Sequence, residues 1–215
     1  MKLDLIREKG KTGTLYRQIL LTVGVLLFGF CLGVFSKYLD FRQANLPYLL
    51  GLFDRTFDFH NFLGSFAPWM LIAVCLSVYS KTPMRAAVNV FCFFASMVSG
   101  YYLYCNFAAG FFPKSYAMIW AGFTAISPVL AYLCWYAGGR GFIAHVISAG
   151  ILACFINCTF AYGMIYISVV SSLQLLTLLS VLAVLRRPVK EMMPILVMSI
   201  IFAILLELLL PFQIW

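Results

Sequence analysis

Charged side chains are scarce in this sequence. Asp, Glu, Lys and Arg make up 10% of its 215 residues, whereas they supply about a quarter of a soluble globular domain. Hydrophobic residues reach 64%, and the mean hydropathy is +0.98. So little charge cannot cover a water-facing surface, and no polar stretch is long enough to fold alone. The composition excludes a soluble protein and predicts an integral membrane protein whose first partner is the lipid bilayer.

Motifs of enzymes and metal sites are also missing. The sequence has no His-Glu-x-x-His, no Gly-x-Ser-x-Gly and no glycine loop of the phosphate-binding kind. Its seven cysteines form no Cys-x-x-Cys pair and lie in or beside apolar segments, where cysteine packs as a small hydrophobic residue. We therefore expect no catalytic residue, no metal ligand and no cofactor.

The formal net charge of +8 raises the question of nucleic acid. Nucleic-acid-binding proteins gather Lys and Arg on one surface, whereas here these residues are dispersed among short segments between apolar runs. This distribution is typical of membrane topology, so no nucleic-acid partner is expected.

Seven apolar segments approach or reach the length of a transmembrane helix, which needs about 20 residues. They follow a basic cytoplasmic segment at 1–17 and make the rest, 18–215, a single transmembrane helical domain. The first segment is too long for a signal peptide and lacks a cleavage site, and its Gly29 and Gly33 favour close helix packing. The predicted spans are 18–36, 61–79, 85–107, 116–137, 142–162, 164–185 and 194–215.

The outer segment at 37–60 connects the first two spans and is polar and aromatic. Asn45 and Pro47 are typical of a helix start. Apolar residues then recur at three- and four-residue steps from Leu46 to Phe57. This pattern predicts an amphipathic helix that lies in the membrane interface.

The distribution of Lys and Arg predicts the orientation. With the N-terminus in the cytoplasm, eleven of the 15 Lys and Arg residues fall in cytoplasmic segments and four fall outside, as the positive-inside rule requires. The sequence therefore predicts an all-α membrane protein, a bundle of about seven transmembrane helices with a cytoplasmic N-terminus and an outside C-terminus.

Glu207 lies inside the apolar run of the last predicted span. A carboxylate in hydrocarbon is costly, so it must be protonated, paired or turned toward protein or water. Ser199, Ala203, Glu207 and Pro211 recur every four residues, and this small or polar stripe is predicted to pack into the bundle. At 1.5 Å per residue, Glu207 is about 20 Å into the span, in its outer half.

Other polar and aromatic side chains map to the same depth. We predict an outward-facing small-molecule site there, with the interfacial helix as a candidate lid. In the alternative interpretation, the aromatic residues form an ordinary interfacial belt and the polar ones only bond across helices. The candidate ligand-binding residues are Glu207, Asn157, Gln174, Asn106, Tyr101 and Trp120.

Three motifs carry a family resemblance: YSKTPMRAAVN at 79–89, FPKSY at 112–116 and WYAGGRGF at 135–142. They resemble a family of small multi-pass membrane proteins of Gram-positive bacteria whose function is unknown. The resemblance implies a bacterial cytoplasmic membrane, and it transfers no binding residue.

By size and helix count the chain is also similar to the membrane-embedded substrate-binding components of energy-coupling-factor transporters, although seven predicted spans exceed their usual six. This similarity implies a small-molecule-binding component of a transport system. Candidate docking faces are Ala121 with Ala125 and Ala149 with Ala153. The alternative is a non-catalytic accessory or assembly subunit whose partner is another membrane protein. Architecture alone does not choose between these functions.

Overall fold

The computed structural model describes residues 5–11, 13–162 and 165–209. It is 81% helical, and the described residues form nine α-helices and one short antiparallel hairpin. The helices are α1 (Leu15–Phe41), α2 (Tyr48–Phe57), α3 (Phe59–Gly64), α4 (Ala67–Val78), α5 (Pro83–Tyr104), α6 (Lys114–Trp135), α7 (Phe142–Thr159), α8 (Ser172–Val184) and α9 (Val189–Leu209). The strands are β1 (Phe160–Tyr162) and β2 (Ile167–Val169).

Five helices in the described part of the chain are long and apolar enough to cross a bilayer, namely α1, α5, α6, α7 and α9. The chain is thus an all-α, multi-pass membrane protein, as predicted. Helices α4 and α8 are also apolar but have only 12 and 13 residues. They occupy the second and sixth predicted spans, and each rises only about 20 Å along its axis.

The connections between helices gather at two ends of the bundle. The first, called the basic end, holds residues 5–11 and the turns at 79–82, 136–141 and 185–188. The second, called the aromatic end, holds α2, α3, the hairpin and the turn at 105–113. Helices α1, α5, α7 and α9 therefore run from the basic end to the aromatic end, and α4, α6 and α8 run in the opposite direction.

Helices α1 and α5 approach closely because glycines replace side chains at their contact. A Cβ atom on Gly33 would overlap the carbonyl group of Met97, and one on Gly100 would lie 2.5 Å from the Phe30 carbonyl oxygen. Gly29 is likewise buried against α5. The predicted close packing at Gly29 and Gly33 is thereby confirmed, and it aligns the second halves of α1 and α5.

The hydrophobic core has two main parts, and α4 belongs to both. One part packs α1, α3, α5 and α6 around Trp69 and Phe93. The other packs α7, α8 and α9 around Phe155 and Val181. Because α4 supplies Trp69 to the first part and Val74 to the second, it joins the two halves of the bundle.

The predicted span at 61–79 is broken in the structure. Helix α3 covers the start of this span and ends at Gly64, and α4 starts at Ala67. Pro68 lies in the first turn of α4, where proline is tolerated because first-turn N–H groups have no intrahelical partner. The Leu63 carbonyl at the break accepts the Trp69 indole N–H at 2.9 Å and the Ser36 hydroxyl at 3.4 Å. These two hydrogen bonds satisfy a backbone carbonyl group that would accept an intrahelical bond in a continuous helix.

The structure also differs from the predicted turn between the fifth and sixth spans. Strands β1 and β2 pair with Phe160 opposite Val169, and α8 begins only at Ser172, so the start of the predicted helix at 164–185 is not helical. Aromatic and β-branched residues favour strands there, and the hairpin pairs the backbone groups. The predicted turn residue Gly163 lies outside the described residues.

Two other predicted boundaries can be compared with the structure. Helix α2 starts directly after Pro47, which confirms the helix predicted between the first two spans. Helix α9 starts at Val189 and contains Pro194, so it begins earlier than the predicted span at 194–215. Residues 210–215, including the predicted stripe residue Pro211, lie outside the described residues.

Residues 5–11 fold back across the basic end. The Arg7 guanidinium donates to the Trp135 carbonyl at 2.5 Å and to the Val78 carbonyl at 2.8 Å, and it lies 4.4 Å over the Trp135 ring. Burial lowers the pKa of this guanidinium from its ordinary value. A cation is favourable at helix C-termini, so Arg7 caps both α4 and α6 and holds the N-terminal segment in place.

The α1–α5 contact predicts a position-specific effect of one methyl group. Gly33→Ala should lower the stability of the bundle by roughly 1–3 kcal/mol, because the methyl group overlaps the α5 backbone. Gly24→Ala on the same helix is the control, since a Cβ there meets no atom within 4 Å. Thermal melts followed by circular dichroism in detergent should show a lower melting temperature for Gly33→Ala alone. Equal melts would contradict the contact.

Candidate functional site

The candidate ligand-binding residues fall into two groups, both near the aromatic end. One group lies where α1, α3, α5 and α6 meet, and the other lies on α7, α8 and α9. The two groups belong to different halves of the core, so the structure divides the predicted site. The first group is Tyr101, Asn106 and Trp120, and the second is Asn157, Gln174 and Glu207.

Asn157 connects α7 to α9. Its amide N–H donates to the Ala203 carbonyl at 3.0 Å, and its amide oxygen accepts the Tyr162 hydroxyl at 2.6 Å. The side chain is only 5% exposed, and both ends of its amide are engaged inside the protein. The observed role of Asn157 is therefore to hold two helices together.

Glu207 lies beside the hairpin. Ser199 and Ala203 of its stripe are buried, as predicted, whereas Glu207 one turn further is half-buried. Burial raises the pKa of the Tyr162 phenol in β1, and the Glu207 carboxylate raises it further. The carboxylate is thus close to the phenol that bonds Asn157.

Gln174 is 6% exposed in the first turn of α8. Its backbone carbonyl accepts the Thr159 hydroxyl at 3.1 Å and the Thr177 hydroxyl at 2.7 Å. Its side-chain oxygen is buried without a hydrogen-bond partner among the described residues. The backbone bond ties α8 to the end of α7, and the side chain keeps an unused acceptor.

A cavity of about 30 Å³ lies under α3 at the aromatic end, large enough for one or two water molecules. Tyr101 and Trp120 line it, so these two predicted residues do share a site. Leu63 and Gly64 of α3 also line the cavity. Of the two outer helices, it is α3 that lines the cavity, whereas the sequence predicted α2 as a candidate lid.

Tyr102 lines both this cavity and an open groove of about 490 Å³. The groove also contains the predicted residue Asn106, together with Leu103 and Phe112, and its volume falls in the usual range of small-molecule sites. Tyr102 is 8% exposed, and its hydroxyl has no hydrogen-bond partner in the described part of the protein. Leaving a buried hydroxyl unpaired costs roughly 1–3 kcal/mol.

Lys37 places a buried charge next to the cavity. It is 5% exposed and forms an ion pair with Asp40. Its ammonium also lies 5.3 Å from the centre of the Tyr101 ring and 4.9 Å from that of Phe111. The carboxylate and the two aromatic faces compensate the charge and fix Tyr101 at the cavity wall.

Hydrogen bonds among polar side chains at the junction of α2 and α3 hold α3 over the cavity. His60 Nδ1 lies 2.9 and 3.0 Å from the two carboxylate oxygens of Asp54, and its backbone N–H donates to Asp54 at 2.8 Å. Asp58 turns the chain in the left-handed region, at φ 53°, and accepts the Asn61 amide at 2.9 Å. These polar groups bond one another and fix the angle between the two helices.

The candidate ligand-binding residues predicted from the sequence do not include Lys37 or Tyr102, although Tyr102 is among the aromatic residues expected at the depth of the site. Tyr102 is one of three tyrosines at 101–104, and only helix packing decides which of them is buried. For Lys37 the sequence does carry a signal, because Asp40 follows at the three-residue spacing of a helical ion pair.

No cluster of three or more His, Cys, Asp or Glu side chains that could hold a metal ion is present within residues 5–11, 13–162 and 165–209. Comparisons of the chain with protein-family models, with curated proteins and with solved structures give no match. The geometry at the aromatic end is therefore the basis for the function proposed below.

Replacing Asn157 should affect the stability of the protein much more than replacing Asn106. Asn157→Ala should lower stability by about 1–3 kcal/mol, because it removes a buried cross-helix hydrogen bond and leaves the Ala203 carbonyl less satisfied. Asn106→Ala is the matched control, since Asn106 is exposed in the groove, and its effect should stay within about 0.5 kcal/mol. Melting temperatures in detergent measure both, and an equal loss would contradict the structural role of Asn157.

Proposed function

We propose that this chain is a small-molecule-binding integral membrane component of a transport system, with its site at Tyr102. The observation that carries the proposal is the buried Tyr102 hydroxyl, which has no partner in the described residues and belongs to a side chain that lines both a cavity and a groove. Native proteins rarely leave such a group unpaired without a functional reason. A ligand oxygen that bonds this hydroxyl would offset the cost.

The surrounding residues have distinct roles in this proposal. Trp120 and Tyr101 form the aromatic walls of the cavity, and Asn106 offers an exposed amide in the groove. Asn157, Gln174 and Glu207 lie in the other half of the core. In this proposal they stabilise the contacts of α7, α8 and α9, and the ligand does not touch them.

The proposed topology has seven membrane crossings, with α4 and α8 as the two short ones and the basic end in the cytoplasm. It is supported by the alternating helix directions and by the gathering of Lys and Arg at the basic end. The Tyr102 site then opens on the outer side of a bacterial cytoplasmic membrane, and α2 lies in the outer interface.

A second candidate function, an accessory subunit of a membrane protein complex, is favoured by the surface of α6. Ala121, Gly122 and Ala125 are exposed on this helix, and a Cβ on Gly122 would meet no atom within 4 Å. Small residues allow close contact with another transmembrane helix. Ala149 and Ala153, by contrast, are fully buried inside the protein.

The test of the proposed function is retention of a small molecule. The protein is purified gently from its own membrane, and its small-molecule content is measured by mass spectrometry. Tyr102→Phe should lower the retained fraction by about fivefold to tenfold, because one hydrogen bond is lost. Its melting temperature without ligand should stay equal or rise, since the variant also removes an unpaired hydroxyl.

Two controls sharpen this experiment. Tyr48→Phe changes a tyrosine that is 82% exposed at the same end, and it should leave retention unchanged. Glu207→Gln should also leave retention unchanged, because the proposed site is at Tyr102. A loss of ligand in Glu207→Gln but not in Tyr102→Phe would show that the site lies on α9 instead. A wild-type protein that retains no small molecule would favour the accessory-subunit function.

A further inference from the structure

The walls of the Tyr102 site carry no charged side chain. The cavity is lined by apolar and aromatic residues and by the hydroxyl of Ser36, and the groove by Ser99 and Asn106 beside apolar groups. Lys37, whose ammonium lies over the Tyr101 ring, is already paired with Asp40. Moving a charged group into such surroundings without a counter-charge is strongly unfavourable, whereas an uncharged oxygen can pair with the Tyr102 hydroxyl.

The groove opens toward the lipid side of the bundle. Tyr102 is 19 residues beyond Pro83, which begins α5, and this spacing corresponds to about 29 Å of helix. The hydrocarbon layer is about 30 Å thick, so Tyr102 lies near its boundary. Ser99 and Leu103 are exposed on α5, and Asn106 is exposed just beyond its end, so in the proposed topology the groove is reached from the surrounding bilayer.

The polar residues that line the groove are few, namely Ser99, Tyr102 and Asn106, and all three are uncharged. Ser99 already donates to the Ala95 carbonyl at 2.7 Å, which leaves Tyr102 as the buried group in need of a partner. Leu103 and Phe112 supply the apolar walls. The groove therefore suits a mostly apolar molecule with one hydrogen-bonding oxygen.

From this geometry we infer that the ligand is an uncharged, lipid-soluble molecule that carries a hydroxyl or carbonyl oxygen, reaches the groove from the outer leaflet and bonds the Tyr102 hydroxyl. The inference rests on the proposed function and specifies the chemical class of its ligand. Tyr102 also becomes the specificity-determining residue, because it is the buried group that distinguishes an oxygen from a hydrocarbon.

The class is tested with three probes of nearly equal shape: para-bromobenzyl alcohol, para-bromobenzoate and para-bromotoluene. The full chain is reconstituted in lipid nanodiscs, and probe concentrations are expressed per lipid to correct for partitioning. Bromine quenches nearby tryptophan fluorescence, and Trp69 and Trp120 line the cavity. Trp135 at the basic end contributes an unquenched background.

The expected result is saturable quenching by the alcohol, with an affinity about fivefold to tenfold higher than that of the toluene and roughly tenfold or more higher than that of the benzoate. In Tyr102→Phe the advantage of the alcohol over the toluene should disappear while toluene binding is kept. Persistence of the toluene signal would show that the variant still folds with its site intact.

Two outcomes would overturn the inference: benzoate binding as tightly as the alcohol, or an alcohol advantage that survives in Tyr102→Phe. Absence of saturable quenching by all three probes would also overturn it. The proposed function fails separately, because it depends on retention of the native molecule. If the protein retains its native molecule but binds none of the probes, the inferred ligand class is wrong and the proposed function still holds.

Discussion

The arrangement of this protein depends on the backbone contact between α1 and α5. Between helices in lipid there is little hydrophobic driving force, so close packing and hydrogen bonds must hold them together. Gly33 and Gly100 provide the packing, since a side chain at either position would collide with the facing backbone. The same contact brings Lys37 of α1 over the ring of Tyr101 in α5, and it thereby builds one wall of the site at the aromatic end.

A second constraint is that polar groups within the membrane need partners inside the protein. Several have one: Asn157 bonds α9, and Lys37 pairs with Asp40. The Tyr102 hydroxyl and the Gln174 side-chain oxygen are exceptions in the described residues, and Tyr102 also lines a cavity and a groove. Departures from such a rule are expected where a protein must leave room for a ligand.

The helical membrane fold followed from composition and apolar length, and the contact at Gly29 and Gly33 followed from residue spacing. The division of the candidate site into two groups could not be predicted from the sequence. Asn157 and Trp120 lie at similar depths by counting along their helices, but lateral position is set by which helices pack together, and spacing within one helix does not encode it. The hairpin at 160–169 was also missed, because an apolar run rich in β-branched residues fits a helix or a strand.

Whether Tyr102 belongs to a ligand site can be seen in an experimental density map of the protein taken from its own membrane into lipid nanodiscs. We expect non-protein density in the groove between Leu103 and Phe112, with an atom within hydrogen-bond distance of the Tyr102 hydroxyl. A groove closed by side chains, with that hydroxyl bonded to a protein group, would contradict this expectation.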